Sequence, residues 1–372
     1  MSSIQHGDSY YTLTLRDLDN VIRKLSDDGY TVYGPVVQDG AIVYDVIGSV
    51  SQLPVGLRDV QGPGYYRLEK RGDNAYFGYV VGPHSWKKIL YPAKVKLLSV
   101  NNMWDVKLFN EGATRMAFLG IRGCELEAIR VLDRVLLDGI YRDPVYKSRR
   151  ENLFIIAVNC VEPGSNCFCT SMGTGPEAKH GYDISLTEVR EGDRHFFLAK
   201  PKTAAGLKLL KEIGAVEAGE EDVAAAQKAL RGALSKFSKK LVVKELREKA
   251  YREFEGGIWS EIAGRCLACG NCTLVCPTCF CTTIEDTNSL DMSVAERWRR
   301  WDSCFTSSFS YIHGGPIRSS IGSRYRQWFM HKLVTWVDQF GLQGCVGCGR
   351  CITWCPVGID ITEEAARLDD KT

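Results

Sequence analysis

Two cysteine strings of the same spacing are the residues of this chain best suited to chemistry. Residues 266–277 read C-L-A-C-G-N-C-T-L-V-C-P, and residues 345–356 read C-V-G-C-G-R-C-I-T-W-C-P. The shared pattern, C-x2-C-x2-C-x3-C-P, is typical of bacterial proteins that hold cubane iron–sulfur clusters. In such runs three thiolates bind one cubane, and the fourth, which precedes proline, binds the other. The spacing therefore predicts two [4Fe–4S] clusters and an electron carrier.

The crossed arrangement gives each predicted cluster ligands from both strings. The first cluster is expected on Cys266, Cys269, Cys272 and Cys355. The second is expected on Cys345, Cys348, Cys351 and Cys276. Zinc is disfavoured because it takes four ligands, whereas each string offers three evenly spaced cysteines plus one before proline. A disulfide framework is disfavoured too, because the chain is long, has no secretory signal and spaces its cysteines poorly for separate bridges.

A second group of cysteines follows two apolar runs in the middle of the chain. Residues 117–121 and 153–158 read as buried strands. Between them, apolar side chains recur at helical spacing, namely Leu126, Ile129, Leu132, Leu136 and Ile140. The order strand, helix, strand predicts a βαβ unit with parallel strands.

Four cysteines lie just beyond the ends of these two strands. Cys124 follows the first strand, and Cys160 follows the second, with Cys167 and Cys169 close behind. Ligand sites in open parallel sheets collect at the carboxyl ends of the strands, so we expect the four thiols to converge. A third iron–sulfur cluster is the favoured interpretation, and a helix N-terminus at Cys124 would stabilise its thiolate. A zinc site and four small buried residues are the alternatives.

Three cysteines remain outside these sets. Cys279 and Cys281 occur in C-P-T-C-F-C, and Cys304 ends W-D-S-C. They could bind one more cluster with a fourth ligand that is not cysteine, for which His313 and His331 are candidates. Because a fourth cysteine is missing, buried thiols around the dicluster site are the favoured interpretation.

The bulk composition is that of a soluble globular protein. The 372 residues include 45% hydrophobic and 25% charged side chains, which suggests two or three domains with ample core. The net charge of +2 indicates neither a nucleic-acid nor a membrane partner. No apolar stretch is long enough to span a bilayer, and the N-terminus lacks a signal segment. With fifteen cysteines, these features predict a protein of the reducing cytoplasm.

The elements that must position the cysteines fall into three predicted regions of an α+β/α/β fold. Residues 1–200 are expected to form a mixed domain, with a β-rich part that includes strands over 41–47 and 76–81, followed by the βαβ unit. Residues 203–258 are rich in Ala, Lys and Glu and predict a helical linker. Residues 259–372 predict a mainly helical, ferredoxin-like dicluster domain.

A helical insert over residues 282–343 is expected between the two strings. The capping box S-V-A-E at Ser293 predicts a helix through Trp301, and Ser323 begins a longer helix that Gly341 ends. The apolar stripe of this longer helix is expected to pack against the cubanes, and it comprises Tyr325, Trp328, Phe329, Leu333, Trp336, Val337 and Phe340.

The insert is also basic, through Arg297, Arg299, Arg300, Arg318, Arg324, Arg326 and Lys332. Basic residues interleaved with aromatic ones can indicate nucleic-acid binding. Compensation of the negative charge of two buried cubanes, together with docking on acidic partner surfaces, is the favoured interpretation.

Several strings together resemble a known family. They are C-L-A-C-G-N-C at 266–272, C-P-T-C-F-C at 276–281, W-D-S-C at 301–304, G-C-V-G-C-G-R-C at 344–351, G-P-H-S-W-K-K at 82–88, G-I-R-G-C-E at 120–125 and N-C-F-C-T-S-M-G-T-G-P at 166–176. From about residue 75 onward the chain resembles the iron–sulfur β subunit of cytoplasmic NAD(P)-linked [NiFe] hydrogenases, the sulfhydrogenases. The A subunit of anaerobic sulfite reductase is a close relative of that family. Family members have proline where Gly123 stands here.

The resemblance implies an iron–sulfur subunit in a complex with a flavin/NAD(P) subunit, a small cluster subunit and a nickel–iron catalytic subunit. The chain itself offers no catalytic centre, since it lacks a G-x-G-x-x-G fingerprint after a strand and nickel-binding C-x-x-C pairs near its two ends. The same relay role in sulfite or sulfur reduction is the alternative within the family. An iron–sulfur protein that binds nucleic acid and a zinc-stapled scaffold without a redox role are alternatives of other classes.

Overall fold

The computed structural model describes residues 9–109 and 114–368. The strands are β1 Tyr11–Leu13, β2 Thr31–Gln38, β3 Ala41–Val46, β4 Leu57–Gly62, β5 Tyr65–Lys70, β6 Lys94–Asn101, β7 Val106–Leu108, β8 Met116–Ile121, β9 Leu153–Val158, β10 Ile184–Glu191, β11 Arg194–Pro201, β12 Val216–Glu217, β13 Thr282–Asn288, β14 Val294–Trp301, β15 Tyr311–Ile312 and β16 Gly315–Pro316. Eight of them form one mixed sheet in the order β12-β1-β11-β10-β9-β8-β2-β3, in which β2, β8, β9 and β10 run parallel.

Helices cover both faces of this sheet and build the C-terminal region. They are α1 Leu15–Asp27, α2 Lys87–Leu90, α3 Gly123–Leu136, α4 Pro144–Glu151, α5 Ala204–Glu212, α6 Glu220–Leu234, α7 Leu246–Arg252, α8 Ile258–Ala263, α9 Asn271–Leu274, α10 Ile321–Met330, α11 Trp336–Phe340, α12 Arg350–Thr353 and α13 Ile361–Ala366. A 3₁₀ turn spans Val50–Gln52, and a π-helical turn spans His331–Thr335. In the described part of the chain, no helix is both long and apolar enough to cross a membrane.

The predicted βαβ unit is confirmed. Strands β8 and β9 are parallel neighbours, and α3 and α4 connect them. Every residue of β8 is buried, because Ala117 and Leu119 face α1 and α5 while Phe118 and Ile121 face α3. A strand covered on both faces reads as an uninterrupted apolar run, which is why the sequence revealed it. Ile140 lies beyond the end of α3 and is exposed, so its assignment to the helix face was wrong.

The strand predicted over residues 76–81 is not present. This segment pairs with no neighbouring strand, although Phe77, Tyr79 and Val81 are buried at alternating positions. The backbone N–H groups of Tyr76 and Phe77 instead donate to the buried carboxylate of Glu188, at 2.7 and 2.8 Å. A side chain has thus replaced the ladder partner that the alternating pattern suggested.

Residues 203–258 are largely helical, as predicted, but they do not form a free linker. Leu209 and Leu210 of α5 belong to the core under the large sheet, and β12 pairs with β1 at its edge. Helix α6 packs Ala226 on β10 and β11, and α7 packs Ala250 into the C-terminal core. The alanine-rich composition concealed these buried faces, because alanine contributes little to an apolar periodicity.

The helix predicted from Ser293 to Trp301 was wrong, since residues 294–301 form strand β14. Strands β13, β14, β6 and β7 make a second, antiparallel sheet that joins the insert to the N-terminal region. Cross-strand ion pairs hold it, among them Arg297 with Asp286 and Arg300 with Glu285. The first half of the insert is therefore a β-hairpin and not helical, because pairing with a distant strand overrides the local capping signal.

The long helix predicted in the second half of the insert is confirmed. Helix α10, the π-helical turn and α11 follow each other without a break, and Gly341 ends them with φ +68°. The helix begins at Ile321, two residues before the predicted start at Ser323, and Ser320 is its N-cap. The π turn carries the buried Lys332, and four residues of the predicted apolar stripe, Tyr325, Trp328, Phe329 and Leu333, pack in the C-terminal core.

Candidate metal centres

The two cysteine strings adopt the same local structure. The N–H of Ala268 donates to the sulfur of Cys266, and the N–H of Gly347 donates to the sulfur of Cys345, both at 3.4 Å. Each string then enters a one-turn helix, α9 in the first and α12 in the second. Hydrogen bonds from the backbone to sulfur favour the thiolate form, which is the form that binds metal. Equal spacing in the sequence thus gives equal geometry at the two sites.

The thiols predicted for the first cluster share one cavity. Its lining includes Cys266, Cys269, Cys272 and Cys355, together with Cys351 of the second set. The fourth thiol comes from the second string, as the crossed pattern predicts. The N–H of Ile359 donates to the sulfur of Cys355 at 3.3 Å, which matches the bonds to the leading cysteines of both strings.

The thiols predicted for the second cluster also lie together. Burial raises the pKa of Cys345 to about 12, and it raises the pKa values of Cys348 and Cys351 as well. Negative charge on Cys276, which belongs to the first string, raises all three pKa values further. Contacts agree with this: the sulfur of Cys276 lies 3.1 Å from the hydroxyl of Thr278, which donates at 2.8 Å to the carbonyl of Gly344, the residue before Cys345.

The surroundings of the first cavity fit an anionic cluster. Tyr325 and Trp328 line the cavity, and their polar atoms, the phenol oxygen and Nε1, are buried without a partner in the described part of the chain. The Nε of Arg324 is also buried without a hydrogen-bond partner among the described residues. Burial raises the pKa of Cys266, whereas the positive charge of Arg324 lowers it. Buried donors without acceptors need an explanation, and the sulfurs of a cubane would supply acceptors.

Lys332 fits a cluster at the second site. Its side chain is buried, and Nζ donates to the sulfur of Cys276 at 3.0 Å and to the hydroxyl of Thr278 at 3.3 Å. Burial lowers the pKa of Lys332, but the thiols of Cys276, Cys279 and Cys345 raise it by more. Among the described residues no carboxylate pairs with this ammonium group, so thiolates supply its counter-charge.

The four cysteines after β8 and β9 converge, as predicted. Cys124 is the second residue of α3, and Cys160, Cys167 and Cys169 lie in the loop that follows β9. All four line one cavity, to which Cys348 of the second string also contributes. This third set of thiols is therefore adjacent to the second cluster site.

Arg122 makes the third cavity electropositive. It is 5% exposed, and its guanidinium donates to the carbonyls of Phe77, Tyr79 and Asn159 at 3.0, 3.0 and 3.2 Å. Its Nε has no partner, and no carboxylate pairs with it among the described residues. Burial raises the pKa of Cys160, whereas the charge of Arg122 lowers it. A buried cation whose hydrogen bonds go to carbonyls fits thiolates or an anionic cluster better than four neutral thiols.

The loop that carries the third set packs directly on the second string. The N–H of Phe168 donates to the carbonyl of Gly347 at 2.8 Å, and the hydroxyl of Thr174 donates to the carbonyl of Val346 at 2.6 Å. Gly347 has φ +66°, and a Cβ there would lie 2.7 Å from the backbone of Phe168 and Cys169. Only glycine allows this approach. Gly347 is therefore required both by the turn of the second string and by the packing of the loop against it.

A buried ion pair, which the sequence reasoning missed, links the second and third sets. Arg350 of the second string binds Glu125, which follows Cys124, at 2.7 Å, and the two side chains are 4% and 1% exposed. Glu125 also accepts from the hydroxyl of Tyr44 at 2.6 Å, and Arg350 donates to the carbonyl of Gly82 at 3.1 Å. The available signal was a charged residue directly beside a candidate ligand cysteine: Arg350 precedes Cys351, and Glu125 follows Cys124.

The remaining three cysteines lie near one another at the base of the insert hairpin. Cys281 precedes β13, Cys304 follows β14, and the N–H of Asp302 donates to the carbonyl of Cys281 at 2.9 Å. Cys279 lies in the segment that joins Cys276 to the hairpin. Neither suggested histidine has a hydrogen bond to these thiols among the described residues: His313 is exposed, and His331 packs against the rings of Phe280 and Trp336.

The thiol sets are not arranged for single ions. Among the residues that the structure describes, no three His, Cys, Asp or Glu side chains converge on one point that could hold a metal ion. A cubane binds each thiolate through a different iron, so the sulfurs that hold it stay apart.

Comparison with known proteins identifies the family. Residues 265–359 match the 4Fe-4S dicluster domain. Over 333 residues the chain is 33% identical to sulfhydrogenase 2 subunit beta of Pyrococcus furiosus, covering 88% of this chain and 89% of that protein. The chain belongs to the sulfhydrogenase beta subunit family. No solved structure matches it.

Membership of the sulfhydrogenase beta subunit family confirms the resemblance, and the domain match confirms the prediction of two [4Fe–4S] clusters. The predicted role of the basic insert is corrected in part. Arg297 and Arg300 pair with carboxylates across the hairpin, Arg299 pairs with Asp143, and Arg326 pairs with Glu255. Arg324 and Lys332 of the insert differ from these, because their charges act on cysteines of the two strings.

Proposed function

We propose that this chain is the electron-transfer subunit of a heteromeric [NiFe] hydrogenase of the sulfhydrogenase type. One cubane would be held by Cys266, Cys269, Cys272 and Cys355, and the other by Cys345, Cys348, Cys351 and Cys276. The crossed placement of Cys276 and Cys355 carries this proposal. Cys355 lines the cavity of the first string's cysteines, and Thr278, whose hydroxyl lies 3.1 Å from the sulfur of Cys276, donates to the carbonyl of Gly344 beside Cys345.

A bound cubane takes up and passes on one electron at a time. The protein's part is to hold it, to exclude water and to set its potential. Phe305, Tyr325 and Trp328 cover the first site with aromatic rings. Lys332 places a positive charge beside the second, which favours the more negative, reduced state of a bound cluster. Reduction at that site would therefore occur at a higher potential than it would without the lysine.

The third set of thiols extends this proposal into the N-terminal region. We propose that Cys124, Cys160, Cys167 and Cys169 hold a third iron–sulfur cluster, with Arg122 as its buried counter-charge. The shared lining of the cavities supports an order of sites: Cys348 faces the third set, and Cys351 faces the first. The second cluster would lie between the other two, so electrons entering at either end would pass through it.

The partners follow from the family. A flavin/NAD(P) subunit would exchange electrons with one end of this row, and the small and large hydrogenase subunits would exchange them with the other. A relay needs no catalytic residue of its own, which agrees with the motifs that the sequence lacks. We place the complex in the cytoplasm, where free thiols stay reduced.

The third cluster is tested by Cys160→Ser in the full-length chain, purified anaerobically. We expect the variant to lose about four irons with equal sulfide and one discrete EPR signal, because a cubane needs its thiolates. The two dicluster signals should persist. Val161→Ala, in the same loop, is the control and should keep the full iron content. An unchanged spectrum and iron content in the Cys160 variant would refute the third cluster.

A further inference from the structure

We infer that two hairpin tips of the second sheet form a docking arm for another subunit of the complex. The tips are the turn between β6 and β7, residues 102–105, and the turn between β13 and β14, residues 289–293. The partner would present an apolar pocket bordered by lysine or arginine. This inference rests on the proposed function, in which the chain is one subunit of a heteromeric complex, but it concerns residues that hold no cluster.

The ladder of the second sheet brings the two turns together. Asn101, at the end of β6, pairs with Val294, at the start of β14, so both turns lie at the same end of the sheet. In the orientation that satisfies its hydrogen bonds, the amide of Asn102 donates to the carbonyls of Met292 and Ser293 at 3.2 and 2.9 Å. The two turns therefore form one surface.

Large apolar side chains are exposed on the docking arm. Met103 and Trp104 of the first turn are 84% and 86% exposed. In the second turn Leu290 is fully exposed and Met292 is 70% exposed. A single exposed apolar residue is ordinary, whereas several on adjoining turns mark an interaction site.

The backbone of both turns suits glycine better than the residues present. Trp104 and Met292 each have φ +59°, a left-handed conformation that disfavours bulky side chains. Among the residues that the structure describes, the other non-glycine residues with positive φ are Asp39, Glu245 and Ala268, none of which is large and apolar. Because Trp104 and Met292 are exposed, packing within the chain does not compensate for the strain. Contact with another molecule accounts for their presence.

The charge of the two turns indicates which kind of molecule covers them. Asp105 and Asp291 are exposed, and neither turn contains lysine or arginine. The hydroxyls of Ser289 and Ser293 donate to the carboxylate of Asp291 and lower its pKa to about 2, so it is ionised at neutral pH. Each group of apolar side chains thus has a negative charge beside it.

Cations on the adjoining strands are engaged elsewhere. Lys107 of β7 lies 5.3 Å from the ring centre of Phe109, and Arg297 of β14 pairs with Asp286. A two-fold contact between the arms of two copies would place like charges together, and an anionic membrane would repel them. A partner subunit with an apolar pocket and a basic rim fits both the exposed side chains and the charge.

The first test is the double variant Trp104→Gly with Met292→Gly in the full-length chain, with Asp39→Gly as the control. Asp39 has φ +50° in the exposed turn between β2 and β3, so the control makes the same kind of backbone change elsewhere. We expect the double variant to bind the other subunits of the complex at least about 10-fold more weakly, with unchanged iron content and EPR signals. The control should bind like the wild type, and equal binding by the double variant would overturn the inference.

Thermal stability of the isolated chain separates docking from a role in the fold. Because glycine suits a left-handed turn, the double variant should be affected no more than Asp39→Gly. A clear loss of stability would assign Trp104 and Met292 to the fold and overturn the inference. Leu290→Ser, which removes a fully exposed side chain, should also weaken binding, whereas Val216→Ser, at the exposed edge of the large sheet, should not.

The charge argument has its own test. Asp105→Lys with Asp291→Lys should weaken binding, and added salt should weaken binding of the wild-type chain. Two outcomes would replace the partner subunit by another occupant and overturn the inference: self-association of the wild-type chain that the glycine variant loses, or binding to phosphatidylserine vesicles that it loses. Iron content and the dicluster EPR signals report separately on the relay, since docking changes assembly alone.

Discussion

Cys276→Ala is expected to remove about half of the dicluster iron and the EPR signal of the second cluster. Cys276 belongs to the first string by sequence, but its sulfur lies 3.1 Å from the hydroxyl of Thr278, which donates to the carbonyl of Gly344 at the start of the second string. Without it, one iron of that cubane loses its thiolate. Electron transfer through the chain should stop, because the affected cluster lies between the other proposed sites.

The comparison of three variants makes this prediction specific. The signal lost in Cys276→Ala should be the one lost in Cys348→Ala, and the signal lost in Cys269→Ala should be the other. Leu274→Ala, at a partly exposed position of α9, controls for disturbance of the first string. If Cys276→Ala removed the same signal as Cys269→Ala, the crossed assignment would be wrong.

Arg350→Met is expected to destabilise the fold by about 3–5 kcal/mol. The substitution leaves Glu125 buried at 1% exposure, with its neighbouring cation gone and only the hydroxyl of Tyr44 and a backbone N–H as donors. The loss should show as an earlier thermal loss of cluster absorbance under anaerobic conditions. Because Arg350 joins the second string to the residue after Cys124, the third cluster should be lost before the first.

A double-variant cycle distinguishes the ion pair from general damage. Arg350→Met with Glu125→Gln should recover much of the lost stability, because no unpaired charge remains buried. Arg297→Met removes an exposed pair with Asp286 and should change stability by less than about 1 kcal/mol. If Arg350→Met were as stable as Arg297→Met, the buried pair would not have the role that its position indicates.

The dicluster ligands could be predicted from the sequence because their geometry is local. The repeated spacing sets the turns at Ala268 and Gly347, the one-turn helices and the bonds from backbone to sulfur. The βαβ unit was also accessible, since its buried strands and helical periodicity are local patterns. The convergence of Cys124 and Cys160 then followed from the rule that parallel strands end at one edge of a sheet.

What failed depends on contacts between distant parts of the chain. The segment from Ser293 carries a helix signature, yet it forms a strand because Val294 pairs with Asn101 of β6. The compensating charges were only partly foreseen: Lys332 and Arg324 were among the basic residues of the insert, but Arg122 was not singled out. Their burial follows from the packing of separate regions, which no window of sequence contains.

The most direct test of the relay is rapid-freeze EPR on the assembled complex with its flavin and nickel–iron subunits, started by mixing with hydrogen or with NAD(P)H. We expect the EPR signals of both reduced dicluster cubanes to appear at a rate no lower than the turnover rate of the complex. This should hold whether hydrogen or NAD(P)H supplies the electrons. In a complex assembled with the Cys276→Ala chain, electrons should reach one partner only. Cubanes that stay oxidised through many turnovers, or that reduce far more slowly than the complex turns over, would contradict the account.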